Sequence, residues 1–282
     1  GTWGIGGLME RDNSIDVGKQ IDALAYMFGR GMNFVEANMW YSQGYSVEIL
    51  ARALKKSGKK REDIFICQAI YLKEGKTLEQ SKDEVRKIMD LFSTEYVDTL
   101  QFSMGSFLRS SFEEITSWIE ELLRSQKIRY TSITNENLEM LKKYYARFGE
   151  KFFSHEVVFN FEIRVNEALG IIPYANSKNI KTVVYQPLRR NKTSQRNWEP
   201  IVNLAEKYGK TQNQIILNWI VSKRYLPITK SENIAHIDEH LEAVEIKMEE
   251  NDIKLLNDYK IPNYSSPEID WNKSGIGISV DQ

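Results

Sequence analysis

Two hydrophobic periodicities alternate along this 282-residue chain. Short apolar runs rich in β-branched and aromatic residues occur at MNFVEA (32–37), DIFICQAI (63–70), VDTLQFS (97–103), IRYTSIT (128–134), EVVFNFEI (156–163), KTVVYQPL (181–188) and RYLPIT (224–229). They predict seven strands. Between them the spacing turns helical. SVEILARALKK carries Val47, Leu50 and Leu54 on one stripe, and SFEEITSWIEELLRS carries Phe112, Ile115, Ile119 and Leu122. A later stripe of Ile234, Ile237, Leu241 and Val244 predicts a helix packed inward on those four residues.

If GTWGIGG at 1–7 closes a strand that begins before Gly1, the strand–helix units number eight, at about 30 residues each. Eight such units close a (β/α)8 TIM barrel, an α/β fold with a single domain over 1–282. An extra C-terminal helix follows the barrel, and the aperiodic stretch NYSSPEIDWNKSGIGISVDQ predicts an irregular tail at 263–282. The rival is an open doubly wound sheet, which expects a Gly-rich turn opening a helix. GTWGIGG runs instead into the charged MERDNS.

Charge narrows the range of partners. Lys and Arg total 38 against 39 Asp and Glu, so no global field draws the chain to nucleic acid or anionic lipid. Cys67 is the only cysteine, which rules out an intrachain disulfide and points to the cytoplasm. No apolar run approaches the roughly 20 residues that cross a bilayer, and the start lacks a signal-peptide pattern, so no membrane partner is expected.

In a barrel, chemistry gathers at the C-terminal ends of the strands. The residues there are Trp3, Glu36 to Tyr41, Ala69, Ser103, Thr134 with Asn135, Asn160, Tyr185 and Lys230. The segments GTWGIGG, EANMWYSQGYSVEILARAL, KIRYTSITN, YQPL and EKYGKTQNQIILNWIV with LPITKSENIAHIDEHLEAV, taken in order, resemble the aldo-keto reductases. The resemblance spans nearly the whole chain and is most specific in its C-terminal third.

That resemblance implies a barrel that transfers hydride from NAD(P)H to a carbonyl substrate, with a tyrosine protonating the forming alkoxide. Carried over by position, the tyrosine is Tyr41 and the family's aspartate falls on Glu36. Its lysine falls on Ala69 and its histidine on Ser103. An ammonium beside a tyrosine brings proton exchange closer to neutral pH, and Ala69 cannot supply one. Losing general acid–base assistance removes on the order of 10² to 10⁴ in rate, so carbonyl reduction is expected to be weak or atypical. Ser103 offers at best a partial substitute as a hydrogen-bond donor, and Glu36 without its cation becomes a candidate base.

The same resemblance places Thr134, Asn135, Asn160 and Tyr185 around a nicotinamide. Leu188 and Arg189, with Arg190, fall near the pyrophosphate, and Lys230, Ser231 and His236 near the adenosine phosphate. Glu239 and His240 fall at the adenine, and Trp3, Trp40 and Met104 at the substrate pocket. It favours NADP(H) over NAD(H), with a cofactor-free site as the alternative. HIDEH at 236–240 also fits an H-x-x-E-H metal pattern, but no third ligand follows from the sequence and no metal is expected. Three readings result: a divergent oxidoreductase, a non-catalytic dinucleotide-binding regulator, and a redox-neutral lyase or isomerase using Glu36 and Tyr41.

Overall fold

A computed structural model describes residues 1–72 and 76–262. The tail expected at 263–282 lies outside the described residues. Seven strands, β1 (Phe34–Asn38), β2 (Phe65–Ile70), β3 (Val97–Ser103), β4 (Ile128–Thr134), β5 (Phe152–Val158), β6 (Lys181–Tyr185) and β7 (Leu226–Pro227), form one curled sheet. Each pairs in parallel with the next in chain order. Helices such as Tyr45–Ser57, Leu78–Leu91, Phe112–Arg124 and Leu138–Phe148 fill the crossovers. That connectivity is the one that winds a (β/α)8 barrel. Among the described residues, no helix is long and apolar enough to cross a membrane.

The segment expected to end an eighth strand is not a strand. Gly4, Gly6 and Gly7 hold φ of 82, 69 and 130°, and a Cβ on Gly7 would collide with the Glu10 carbonyl. This left-handed backbone suits glycine and cannot join a ladder. The segment still lies between the two edges of the sheet. Its Gly1 amino group donates to the Thr229 carbonyl at 3.0 Å, and Thr2 Oγ1 donates to the Glu36 carbonyl at 2.8 Å.

Three other expectations need correction. β5 starts four and ends five residues earlier than expected, and its end is set by Asn160, whose Oδ1 accepts the N–H groups of Glu162 and Ile163 at 3.0 and 2.8 Å and folds the chain into a turn. β7 keeps only two residues of RYLPIT, since Pro227 brings no N–H to the ladder. Helix Ile234–Glu242 buries Ile237, yet Ile234 and Val244 are 41% and 49% exposed. The α-helical repeat stops at Glu242, and in the tighter turn that follows it is Ala243 that faces inward.

Strand alternation divides the sheet into two faces. Ala37, Ile66, Leu100, Phe102, Ile133 and Val157 turn outward into the apolar layer beneath the helices. Facing in are three tiers. Phe34, Phe65, Tyr130 and Phe153 stack across the N-terminal end, with Phe65 and Phe153 centroids 4.6 Å apart. A hydroxyl chain runs above them, Thr99 to Ser132 at 2.9 Å and Ser132 to Ser154 at 2.8 Å. The C-terminal tier is the mouth.

Asp98 ties the N-terminal ends of three strands together. Its carboxylate takes Arg61 Nη2 at 2.8 Å, Arg129 Nη1 at 2.9 Å and the Ile66 N–H at 2.9 Å, while 1% exposed. Asp98→Ala strands the Arg61 guanidinium, which is largely buried, together with a buried amide. A loss of about 3–5 kcal/mol is expected, read in urea unfolding as a lower midpoint at unchanged slope. Asp98→Asn keeps an acceptor for the amide and is expected to cost less.

Candidate active site

Glu36 is the second-last inward residue of β1 and is buried. Five residues on, the turn Tyr41–Gly44 brings a tyrosine back over it. Ser42 and Gln43 adopt φ of 44 and 57° there, a conformation strained for residues with a Cβ. The turn is held to the first segment by Ser42, whose Oγ donates to the Ile5 carbonyl at 2.8 Å and whose N–H donates to the Leu8 carbonyl at 2.7 Å. In this position the Tyr41 hydroxyl donates to Glu36 Oε1 at 3.1 Å.

Aromatic rings enclose the pair. Trp3 meets Tyr41 edge-on at 4.9 Å and Trp40 at 6.4 Å, and Trp40 meets Tyr71 at 5.5 Å. Met104, expected to join this lining, has a side chain outside the described residues. Tyr71, just past β2, also bonds the Tyr41 hydroxyl. Asn38, one inward position beyond Glu36, is 1% exposed. Its Oδ1 accepts the Trp40 N–H at 2.9 Å, while its Nδ2 has no partner.

Neither Ala69 nor Ser103 provides a cation. Ala69 pairs in register with Asn38, and Ser103 Oγ lies 3.3 Å from Ser106 Oγ. The polar group opposite is Glu156, on the inward face of β5, accepting Gln101 Nε2 at 2.8 Å. Gln101 Oε1 in turn lies 3.5 Å from Cys67 Sγ. Among the described residues no side-chain cation pairs with either carboxyl.

Burial without a side-chain counter-charge disfavours the charged form of these groups. Burial raises Glu36, with the Tyr41 hydrogen bond opposing. Burial and then the Glu36 charge push Glu156 up to about 8. Burial and then Glu36 push Tyr41 and Tyr71 well above the ordinary phenol range. At neutral pH Tyr41 is a neutral phenol, a hydrogen-bond donor rather than a phenolate.

Of the residues expected around a dinucleotide, the structure joins some and separates others. Thr134 and Ser103 are register partners at the ends of β4 and β3. Asn135, at φ 54°, accepts the Tyr185 hydroxyl on Oδ1 at 3.1 Å, and its Nδ2 has no partner among the described residues. Asn160 is engaged in the turn after β5 and donates to the Gln186 carbonyl at 3.3 Å. Leu188 belongs to the apolar core. Arg189 is 5% exposed and ion-paired with Glu162, which also takes Arg196 and the Trp198 indole N–H. Arg190 is exposed.

Lys230 pairs with Glu232 at 2.7 Å, and Ser231 Oγ accepts the Asn233 N–H at 3.1 Å. His236 is exposed, Glu239 accepts the Thr211 hydroxyl, and burial lowers the His240 imidazole. Among the described residues no group of three or more potential metal ligands assembles.

Glu156, Gln101 and Tyr71 are not among the site residues that the sequence indicates, and Cys67 stands out there only as the lone cysteine. Gln101 shares the inward face of β3 with Ser103, a signal that strand alternation carries. Glu156 was hidden by the strand boundary, since starting the strand at 156 puts it at the wrong end of the barrel.

The raised carboxyl at Glu156 has a stability signature. Unfolded, it releases its proton near 4.5, and folded it holds it to about 8. Between those values the unfolded state binds fewer protons, so stability falls as pH rises, by at most about 1.4 kcal/mol per pH unit. Melting curves from pH 5 to 8 are expected to show this decline and Glu156→Gln to flatten it. An equally steep decline in the variant assigns the effect elsewhere.

Comparison with known proteins bears on the same residues. Residues 1–261 match the profile described as the aldo/keto reductase family. An NADPH-dependent alpha-keto amide reductase of Saccharomyces cerevisiae is 24% identical over 79% of this chain and 74% of its own. A methylglyoxal reductase of Yersinia pestis is 23% identical over 84% and 86%. Among solved structures, a thermostable aldo-keto reductase in complex with the inhibitor epalrestat superposes with a TM-score of 0.82, at 26% identity over 91% of this chain and 92% of the other. An aldo-keto reductase from Klebsiella pneumoniae in complex with NADPH superposes at 0.78, with 19% identity over 91% and 88%. With its seven parallel strands in barrel order and a family match across nearly all of its length, this chain belongs to the aldo/keto reductase family.

Proposed function

We propose that this chain binds NADP(H) and reduces a carbonyl compound at an attenuated rate, with Tyr41 as the proton donor. The observation that carries the reading is the buried Tyr41–Glu36 hydrogen bond of 3.1 Å at the barrel mouth. The donor set beside it fits a nicotinamide. Asn135 Nδ2 is available for a carboxamide oxygen, Thr134 and Glu156 are at hand for its amide, and the Tyr185 ring offers a stacking face. Relatives named as NADPH-dependent or solved with NADPH support that choice of nucleotide. Lys230 and Ser231 are the candidates for its adenosine phosphate.

Bound NADPH supplies the hydride. The chain's own part is to orient the carbonyl and deliver one proton. Tyr41, kept neutral by burial, donates to the carbonyl oxygen, and Glu36 is placed to return a proton to the phenol. Alanine at 69 and serine at 103 offer no cation to charge developing on the oxygen, which supports a slow reaction. The alternative, nucleotide binding without turnover, is supported by the same lack of a cation.

Saturating NADPH is expected to raise thermal stability, by about 2.7 kcal/mol at a hundredfold excess over Kd. No shift with NADPH or NADH sinks both readings. With nucleotide bound, Tyr41→Phe is expected to abolish the residual reduction of a panel of aldehydes and ketones, and an unchanged rate removes Tyr41 from the chemistry. Ala69→Lys combined with Ser103→His is expected to speed carbonyl reduction by about tenfold or more, since general acid–base and electrophilic assistance are restored together.

A further inference from the structure

We propose that Asn38 is a second hydrogen-bond donor to the carbonyl oxygen of the substrate, acting beside Tyr41 in a mouth where Ala69 and Ser103 supply no cation. The inference rests on the reading that a carbonyl is reduced at this mouth, and it names a further catalytic residue for that site.

Strand alternation sets this side chain. Glu36 points inward near the end of β1, so Asn38, two residues on, does too. Its register partner is Ala69, whose side chain ends at Cβ, so at this level the β1–β2 pair carries one polar side chain, the Asn38 amide. The orientation of that amide is fixed. A backbone N–H can only donate, so the atom that meets the Trp40 N–H at 2.9 Å is Oδ1, and Nδ2 is the atom left over. Asn38 is 1% exposed, and its Nδ2 has no partner among the described residues. A buried donor without a partner is costly and rare in folded proteins, and this one stands at the C-terminal end of a barrel strand, where substrates bind.

The same turn carries the phenol. The buried Ser46 hydroxyl lies 3.4 Å from the Asn38 carbonyl and 3.3 Å from the Tyr41 carbonyl, and this bridge fixes the two residues relative to each other. Nδ2 is shielded in the empty mouth, and the half-buried Trp3 and Trp40 rings are the groups that give way as a ligand enters. A carbonyl oxygen has two lone pairs and accepts two hydrogen bonds. Tyr41 takes one and supplies the proton, and Asn38 takes the other. As hydride adds at carbon, the C=O π pair settles on oxygen, the Tyr41 proton neutralises that oxygen, and Asn38 keeps both of its amide protons. An amide donor held in place stabilises the charge building on the oxygen, and so does in weaker form the work of a cation.

The test reads the carbonyl itself. Without nucleotide, isotope-edited infrared spectra of carbonyl-labelled benzaldehyde bound to the protein are expected to place the C=O stretch below its position in an aprotic solvent, since each hydrogen bond weakens that bond. Tyr41→Phe is expected to keep part of the shift, and Asn38→Ala added to Tyr41→Phe is expected to remove the rest. In the Tyr41→Phe background Asn38 can no longer act by aiming the phenol. An equal band position in the single and double variants overturns the proposal, as does a parent spectrum with no shifted band. Thermal melts identify a double variant that fails to fold, and Asn38→Leu then takes the place of Asn38→Ala. With NADPH, Asn38→Ala alone is expected to lower kcat/KM for benzaldehyde by about 10²-fold at unchanged NADPH affinity, and a value within about twofold of the parent overturns the proposal. If NADPH does not bind, the reductase reading fails on that observation alone, while the infrared comparison still decides the role of Asn38.

Discussion

Everything in this molecule hangs on the two-residue alternation of strands wound into one curled parallel sheet. Each strand gives one set of side chains to the helices and the other to an interior from which bulk water is excluded. In β1 this sends Ala37 outward and Glu36 inward, and in β5 it sends Val157 outward and Glu156 inward. The same rule stacks the aromatic tier at the N-terminal end and the hydroxyl tier above it. The inward residues near the C-terminal ends have only one another for company. A carboxyl placed there by register is buried, and its chemistry follows from that confinement.

Confinement acts on charge first. A carboxylate moved out of water is costly unless a cation or several donors replace the lost hydration. Asp98 shows the compensated case, with two arginines and an amide about one carboxylate at the opposite end of the barrel. Glu36 and Glu156 have no side-chain cation among the described residues, only a phenol on one and an amide on the other. One fold thus holds a carboxyl that fastens strands together through two arginines and a buried pair that no side-chain cation joins among the described residues. The difference lies in which neighbours the register supplies.

Much of this was legible in the chain. The alternation of periodicities gave the barrel, and VDTLQFS and IRYTSIT matched β3 and β4 at both ends. Glu36 and Tyr41 stand out together because the resemblance to aldo-keto reductases carries the family's aspartate and tyrosine onto them. Legibility failed where a local bond overrode the apolar pattern. EVVFNFEI looks like one continuous strand, but Asn160 accepts two backbone amides and ends β5 two residues earlier. That single turn shifted the frame, so Asn160 was read as the strand end and Glu156 as its start. Tyr71 escaped for another reason: it follows its strand, and no periodicity marks a residue placed by ring contacts with its neighbours.

The loop after β6 shows how such a site is kept in shape. Gln186, Arg189, Arg190, Asn191 and Asn197 all hold positive φ, and each non-glycine residue in that region costs on the order of 1 kcal/mol or more. A loop carrying that much strain persists only where its surroundings fix it. Glu162 does so from the turn after β5, binding Arg189, Arg196 and the Trp198 indole from a buried position. The turn that ends β5 at Asn160 also delivers Glu162, so one local feature sets both the end of the strand carrying Glu156 and the anchor of the loop beside Tyr185. The arginine that the sequence offered for a pyrophosphate is therefore first a structural cation. Its work is to hold the loop in a conformation the loop would not adopt alone, and any phosphate contact from this loop depends on that anchor.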